Sequence, residues 1–187
     1  MKVIQLFNNQ SQIIKRAARG NREAQQKIFE RHSGKMLSIC RQYVKDLHHA
    51  EEVMLNGFFK VFTHLCDFKN EGSFEGWMRR IMIRESISFL RTLKKIEFTQ
   101  EDLEDTESVD SITSDLNVAH IQSMIDSLPE GYKMVFLMYC VDGYKHSEIS
   151  QMLNISEGTS KSQLFKARKM LQEKLKQENT GYGTGKI

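Results

Sequence analysis

The sequence predicts an all-α protein of two small helical domains joined by an acidic, flexible linker. Its 187 residues include one proline and 11 glycines, too few turn-forming residues for a many-stranded sandwich or barrel. Apolar residues recur at helical spacing along most of the chain, and no stretch alternates convincingly enough to indicate a strand. Because 40% of the residues are hydrophobic, the chain has enough apolar side chains to build cores, and wholesale disorder is not expected.

The net charge of +3 is the sum of three blocks with different character. Residues 1–95 hold 18 Lys and Arg against 9 Asp and Glu, residues 96–117 hold 8 acids and no base, and residues 118–187 hold 9 bases against 7 acids. These balances predict a basic domain over 1–95, an acidic linker over 96–117, a second domain over 118–177 and a flexible tail over 178–187.

Other composition features narrow the class of protein. No apolar run approaches the roughly 18–20 residues that a membrane span needs, and the first residues lack the pattern of a signal peptide. The cysteines, Cys40, Cys66 and Cys140, are scattered and odd in number, as expected for reduced thiols in a cytoplasmic protein. We therefore expect neither a disulfide scaffold, a metal site nor membrane insertion.

Cap residues divide the first domain into helices. A periodic stretch begins near Ser11 and stops at a Gly-Asn break, where Asn21 is placed to cap the next helix. Asp46 is the N-cap candidate for the third helix. Residues 66–73 are polar and predict a loop, and its last residue, Ser73, caps the fourth helix.

Helix-breaking residues divide the second domain into four predicted helices. A helix begins near Val118 and ends at Leu128, because the proline that follows disfavours the helical conformation there. A second helix is predicted over 131–142 and a third from His146 or Ser147. A break at 154–156 precedes a last helix that runs to about residue 177.

Residues 144–175 form a helix-turn-helix pattern. Asn154 tolerates the left-handed backbone that a tight turn needs, and Ser156 is placed to cap the following helix. The inner face of that helix is formed by Ser160, Leu164, Ala167 and Leu171. The opposite face carries cations, a hydroxyl and an aromatic ring, which suit entry into the major groove. An ordinary helical hairpin with a solvated basic face is the alternative on spacing alone.

At this point the chain resembles a known family, the extracytoplasmic-function (ECF) sigma factors, the smallest class of the bacterial sigma-70 family. The second domain resembles region 4 of that family in Leu128-Pro129, Phe136, Gly143-Tyr144, Glu148-Ile149, Leu153, Ile155-Ser156, Gly158-Thr159, Lys161-Ser162 and Ala167-Arg168. The first domain resembles region 2 in Ala50-Glu51-Glu52-Val53, Phe58, Lys60, Phe62, Ser73-Phe74, Trp77, Arg80-Ile81 and Leu90-Arg91. The resemblance implies a region 2 helical bundle and a region 4 helix-turn-helix, with an acidic segment between them.

In the family, region 4 reads the minus-thirty-five promoter element as duplex. Carried over by position, the resemblance implies DNA contacts by Lys161, Ser162, Phe165, Lys166 and Arg168. Two positions depart from the family pattern. Ser160 replaces an inward-packing Val and is expected to loosen the core, and Gln163 replaces a common basic residue and is expected to remove a phosphate partner.

Region 2 in the family reads the melted minus-ten element. By position, the resemblance implies contacts by Phe68, Lys69, Arg79, Arg80 and Arg84. Arg84 and Ser88 replace a usual Asn and Asp, so a different base preference is expected. Trp77 lies on the apolar side of its helix with Phe74 and is expected in the core.

Region 2 also binds the clamp helices of the polymerase, which implies contacts by Glu51, Glu52, Leu55 and Asn56. Leu55 and Asn56 replace a Gln-Glu pair, so this contact has either been repacked or weakened, with region 4 then carrying more of the binding. In the family the linker occupies the path of the transcript; a plain solubilising tether is the alternative.

The sequence therefore predicts a non-enzymatic sigma factor, without cofactor, that binds core RNA polymerase, promoter DNA and an anti-sigma factor. No phosphate-binding loop, metalloprotease motif or nucleophile elbow occurs in the chain. Two alternatives remain at this stage: a stand-alone helix-turn-helix regulator, and a sigma-like interaction protein that does not bind core polymerase.

Overall fold

The computed structural model describes residues 2–69, 71–94 and 118–181, and no strand occurs among them. The chain divides into two compact units, Met1–Ile96 and Glu97–Ile187. The predicted linker over 96–117 lies outside the described residues, as does the part of the predicted tail beyond residue 181.

Within the described part of unit 1 the chain forms four α-helices. They are α1 (Lys2–Ala18), α2 (Arg22–Tyr43), α3 (Leu47–Thr63) and α4 (Phe74–Lys94). A short 3-10 turn, Leu65–Asp67, lies within the loop predicted over 66–73. The first helix begins well before the predicted start near Ser11, since the preceding residues contain no Gly or Pro to stop it.

The predicted caps of unit 1 are present. Asn21 accepts a hydrogen bond from the backbone N–H of Ala24 at 2.9 Å, and Asp46 accepts one from that of His49 at 2.9 Å. The hydroxyl of Ser73 accepts from the N–H of Gly76 at 3.4 Å, in the first turn of α4. These bonds satisfy N–H groups that have no partner within the helix.

The core of unit 1 lies where α2, α3 and α4 pack together. Its largest fully buried side chains are Met36, Val53, Val61, Leu65, Met78, Met82 and Ile83. Trp77 is only half-buried, so its predicted place inside the core is wrong. Its ring instead lies beside those of Phe74 and Phe68, with centroids 5.9 and 5.5 Å away.

The described residues of unit 2, 118–181, also form four α-helices. They are α5 (Val118–Asp126), α6 (Glu130–Phe136), α7 (His146–Leu153) and α8 (Glu157–Gly181). The single helix predicted over 131–142 is instead α6 followed by a π-helical turn, Leu137–Val141. Residues Leu137 and Met138 of this turn are buried, and Tyr139 after them is exposed. The last helix extends beyond its predicted end at 177.

The turn between α7 and α8 has the predicted chemistry. Asn154 has φ 55°, which is the left-handed conformation, and it ends α7. The hydroxyl of Ser156 accepts from the N–H of Thr159 at 2.9 Å and caps α8. Ile149 and Leu153 of α7 are buried, so the turn fixes α7 and α8 around a shared apolar centre.

Candidate nucleic-acid interface

One face of α8 is exposed and carries every residue predicted to read the minus-thirty-five element. Those residues are Lys161, Ser162, Phe165, Lys166 and Arg168. Phe165 is 69% exposed, so most of its apolar surface faces water. On the opposite face Ser160, Leu164 and Ala167 are buried, as predicted, and Leu171 is half-buried.

The cations on this face differ in how firmly they are held. Lys161 lies 4.0 Å from the carboxylate of Glu157, an exposed pair that restrains it little. The Nζ atom of Lys166 lies 5.7 Å from the ring centroid of Tyr132, and the guanidinium carbon of Arg168 lies 5.7 Å from that of Tyr139. Lys166 and Arg168 thus rest on aromatic rings that the sequence did not single out.

The expectation about Gln163, on the inner face of α8, is corrected. Gln163 is buried, so it occupies no place on the DNA-facing side and no phosphate partner has been lost there. It follows Ser160 by three residues, and this spacing places both on the same side of a helix. Ser160 is buried too, but its hydroxyl lies 2.9 Å from Nδ1 of His146, so it joins α8 to α7.

The predicted minus-ten residues lie at the loop before α4 and along that helix. Lys69, Arg80 and Arg84 are exposed, and Arg80 and Arg84 are one helical turn apart, so they form a cationic row. Arg79 is half-buried. Phe68 is half-buried as well, with its ring 5.2 Å from that of Phe74, so the loop is attached to α4 by an aromatic cluster.

The predicted polymerase-contact residues share the outer face of α3. Glu52, Leu55 and Asn56 are exposed and Glu51 is half-buried. The structure adds Phe59, which is 72% exposed and lies one turn beyond Leu55, itself 54% exposed. Sequence reasoning missed Phe59 because it adjoins Phe58, and only the packing of α3 shows which of the two rings faces inward.

Among the described residues, no cluster of three or more His, Cys, Asp or Glu side chains is arranged to hold a metal ion. In the same part of the chain, every helix is too short or too polar to cross a bilayer.

Both units match models of one protein family. Residues 28–96 match sigma-70 region 2, and residues 120–171 match sigma-70 region 4. The first match covers α3 and α4, and the second covers the helix-turn-helix and most of the outward face of α8. The chain therefore belongs to the sigma-70 family and contains its regions 2 and 4.

Two relatives indicate which class of sigma-70 protein this is. The chain is 24% identical to the ECF RNA polymerase sigma factor SigW of Bacillus subtilis, over 87% of this chain and 95% of that protein. It is 25% identical to the RNA polymerase sigma-H factor of Pseudomonas aeruginosa, over 88% and 92% of the two chains. The protein belongs to the ECF sigma factors.

Solved structures share the fold. The sigma factor RpoE of Bartonella quintana, in complex with the anti-sigma factor NepR, has a TM-score of 0.53 at 18% identity, covering 81% of this chain and 96% of that one. CnrH, solved with the cytosolic domain of CnrY, has a TM-score of 0.50 at 19% identity, covering 88% and 95%.

Proposed function

We propose that this ECF sigma factor directs transcription initiation by reading the minus-thirty-five element with the outward face of α8. The observation that carries the proposal is an exposed row of cations, a hydroxyl and an uncovered phenyl ring on the second helix of a helix-turn-helix. An α-helix fits the major groove of B-DNA, where base edges present donors, acceptors and methyl groups. On this helix Lys161, Ser162 and Phe165 are proposed to face bases, and Lys166 and Arg168 to face phosphates.

Unit 1 is proposed to bind the melted minus-ten strand and the polymerase clamp. The exposed cations Lys69, Arg80 and Arg84 offer the charge that a single strand requires, and Arg79 lies beside them in sequence. Phe68 belongs to an aromatic cluster at the start of α4, where a flipped base would find a stacking surface. The outer face of α3, with Glu51, Glu52, Leu55 and Asn56, is proposed to meet core polymerase.

The remaining parts of the proposal follow from charge and from the relatives. We propose a basic domain over 1–95, an acidic linker over 96–117, a domain over 118–177 that reads the minus-thirty-five element, and a tail over 178–187. Because the solved relatives are bound to an anti-sigma factor or to CnrY, we propose that this chain also has an anti-sigma partner. From its membership of the sigma-70 family we also propose that it acts in the cytoplasm without catalytic activity.

Run-off transcription with purified core polymerase and a randomised promoter library tests the function. The full chain is expected to select a two-part promoter only in the presence of core polymerase. A chain that binds promoter tightly without core, and does not bind core, would instead be a stand-alone regulator. A chain that binds neither would be an interaction protein.

Substitution of one cation tests the assignment of α8. Lys161→Ala is expected to weaken use of the selected promoter by about 1–3 kcal/mol if the side chain reads a base edge. Lys45→Ala is the control, because Lys45 is an exposed cation between α2 and α3. Equal promoter use by both variants removes Lys161 from the reading face.

A further inference from the structure

The recognition helix is tied to the rest of unit 2 by polar and aromatic contacts near both ends of its reading face. At one end the Ser160 hydroxyl lies 2.9 Å from Nδ1 of His146, the first residue of α7. The His146 ring stacks on Tyr139 of the π-helical turn, with centroids 4.6 Å apart and planes inclined by 23°. At the other end Arg168 lies 5.7 Å from the Tyr139 ring centroid. The contacts therefore connect Ser160 to Arg168, two turns further along α8, through His146 and Tyr139.

The exposure of Tyr139 indicates that it is not there to fill the core. Its side chain is 37% exposed, whereas its neighbours Leu137 and Met138 in the same turn are buried. The negative face of an aromatic ring attracts a cation that lies over it within about 6 Å, as Arg168 does here. The Arg168 guanidinium also lies 3.6 Å from Sγ of Cys140, a long contact that keeps it beside the same turn.

We propose that Tyr139 is a positioning residue for promoter recognition: it holds the Arg168 guanidinium in place for a DNA phosphate, and its stacking on His146 couples that position to Ser160 near the start of α8. This rests on the proposed role of α8. When an arginine binds a phosphate, the loss of side-chain entropy offsets much of the favourable binding free energy. A ring that orders the guanidinium beforehand therefore strengthens the contact. Tyr132 makes the same kind of cation–π contact with Lys166.

The protonation state of His146 agrees with this arrangement. Burial is the main cause that lowers the pKa of His146, with Lys161 and Arg168 adding to the effect and Glu157 opposing it. A neutral imidazole stacks on Tyr139 without repelling the guanidinium on the same ring.

A double-mutant cycle in the assembled holoenzyme tests the proposal. The probe is duplex DNA carrying the promoter that the wild-type holoenzyme selects from the library, titrated over a range of KCl concentrations. Arg168→Gln is expected to lower the salt slope of log affinity by about one, because one phosphate contact is lost. Tyr139→Leu is expected to lower affinity about two- to fivefold in the wild-type background and to have no further effect beside Arg168→Gln.

Two controls separate positioning from packing. Tyr139→Phe keeps the ring and is expected to bind like wild type, whereas a loss equal to that of Tyr139→Leu would overturn the proposal. If Tyr139→Leu does not fold, Tyr139→Met repeats the cycle with an apolar chain of similar length. The proposal is also overturned if the affinity losses of Tyr139→Leu and Arg168→Gln multiply in the double variant, or if Arg168→Gln leaves the salt slope unchanged. Either result leaves the sigma function intact. A wild-type chain that neither binds core nor selects a promoter overturns both.

Discussion

At the scale of single residues, Gly57 of α3 packs closely against Met82 of α4. A Cβ atom at Gly57 would lie 2.3 Å from Sδ of Met82, whose side chain is fully buried and has little room to move. The glycine therefore sets how closely α3, with its proposed polymerase face, approaches α4, with its cationic row.

Gly57→Ala is expected to destabilise unit 1 by about 1–3 kcal/mol, because the added methyl group overpacks this contact. Urea unfolding followed by the fluorescence of Trp77, the one tryptophan, measures the effect. Gly34→Ala is the matched control: Gly34 lies within α2 with nothing within 4 Å of the added Cβ, so this change is expected to be neutral or stabilising. Equal destabilisation by the two would contradict the packing argument.

A second single-residue feature is the buried imidazole of His32 on α2, whose ring lies edge-on to Phe74 at 5.9 Å. Burial is the main cause that lowers the pKa of His32; Arg31 and Lys35 act in the same direction, and Glu75 opposes them. The unfolded chain, with a histidine pKa of about 6.5, therefore binds the proton more readily than the folded one.

The stability of unit 1 is accordingly expected to be complete above about pH 6.5 and to fall as the pH drops below that value towards the folded pKa. His32→Gln should flatten this part of the pH profile of the unfolding free energy. His48→Gln, at an exposed position, should leave it in place. A profile that His32→Gln does not change would mean that another group causes the acid sensitivity.

At the scale of elements, the turn between α7 and α8 decides how α8 presents its reading face. Asn154 adopts φ 55°, and Ser156 caps α8 immediately afterwards. The left-handed conformation costs a β-branched residue more than Asn, whereas Gly adopts it freely.

Asn154→Val is therefore expected to destabilise unit 2 by about 1–2 kcal/mol, and Asn154→Gly to be close to neutral. Thermal unfolding followed by circular dichroism measures the loss, while Trp77 fluorescence follows unit 1 as an internal reference. Similar losses for Val and Gly would show that the Asn side chain, rather than the backbone conformation, is what the turn requires.

At the scale of the whole molecule, the function requires one chain to bind both a polymerase and DNA. The charge blocks of +9, −8 and +2 place most of the excess cations in unit 1, whereas residues 118–187 are nearly balanced and display several cations on one face of α8. This balance disfavours strong indiscriminate DNA binding by the free chain and fits a subunit that reads promoters when polymerase holds it. The outer face of α3, where Leu55 and Phe59 are exposed, is the surface that we propose for assembly with polymerase.

Phe59→Ala is expected to lower the affinity of the full chain for core polymerase by about tenfold or more, because exposed aromatic side chains that become buried carry much of the energy of an interface. Its effect on folding should be small, since the ring is 72% exposed in the free chain. Leu93→Ala is the matched control, as Leu93 is 54% exposed on α4, outside the proposed contact. Equal affinity of wild type and Phe59→Ala would remove this face from the polymerase interface.

The sequence by itself determined the helical class, the caps at Asn21, Asp46, Ser73 and Ser156, and the left-handed turn at Asn154. These features depend on backbone preferences and hydrogen bonds between near neighbours, which residue identity and spacing reveal. The outward face of α8 was predictable for the same reason, since a period of 3.6 residues separates cations from apolar residues.

Only the tertiary structure decided which side chains meet across elements. In the folded chain Gln163 is buried, Phe59 is exposed and Trp77 is half-buried. Tyr139 lies beneath Arg168, and His146 lies beside Ser160. The π-helical turn after α6 has no signature in the local pattern, yet it carries Tyr139. Such contacts join residues far apart in the chain, and they depend on how helices pack rather than on how each helix forms.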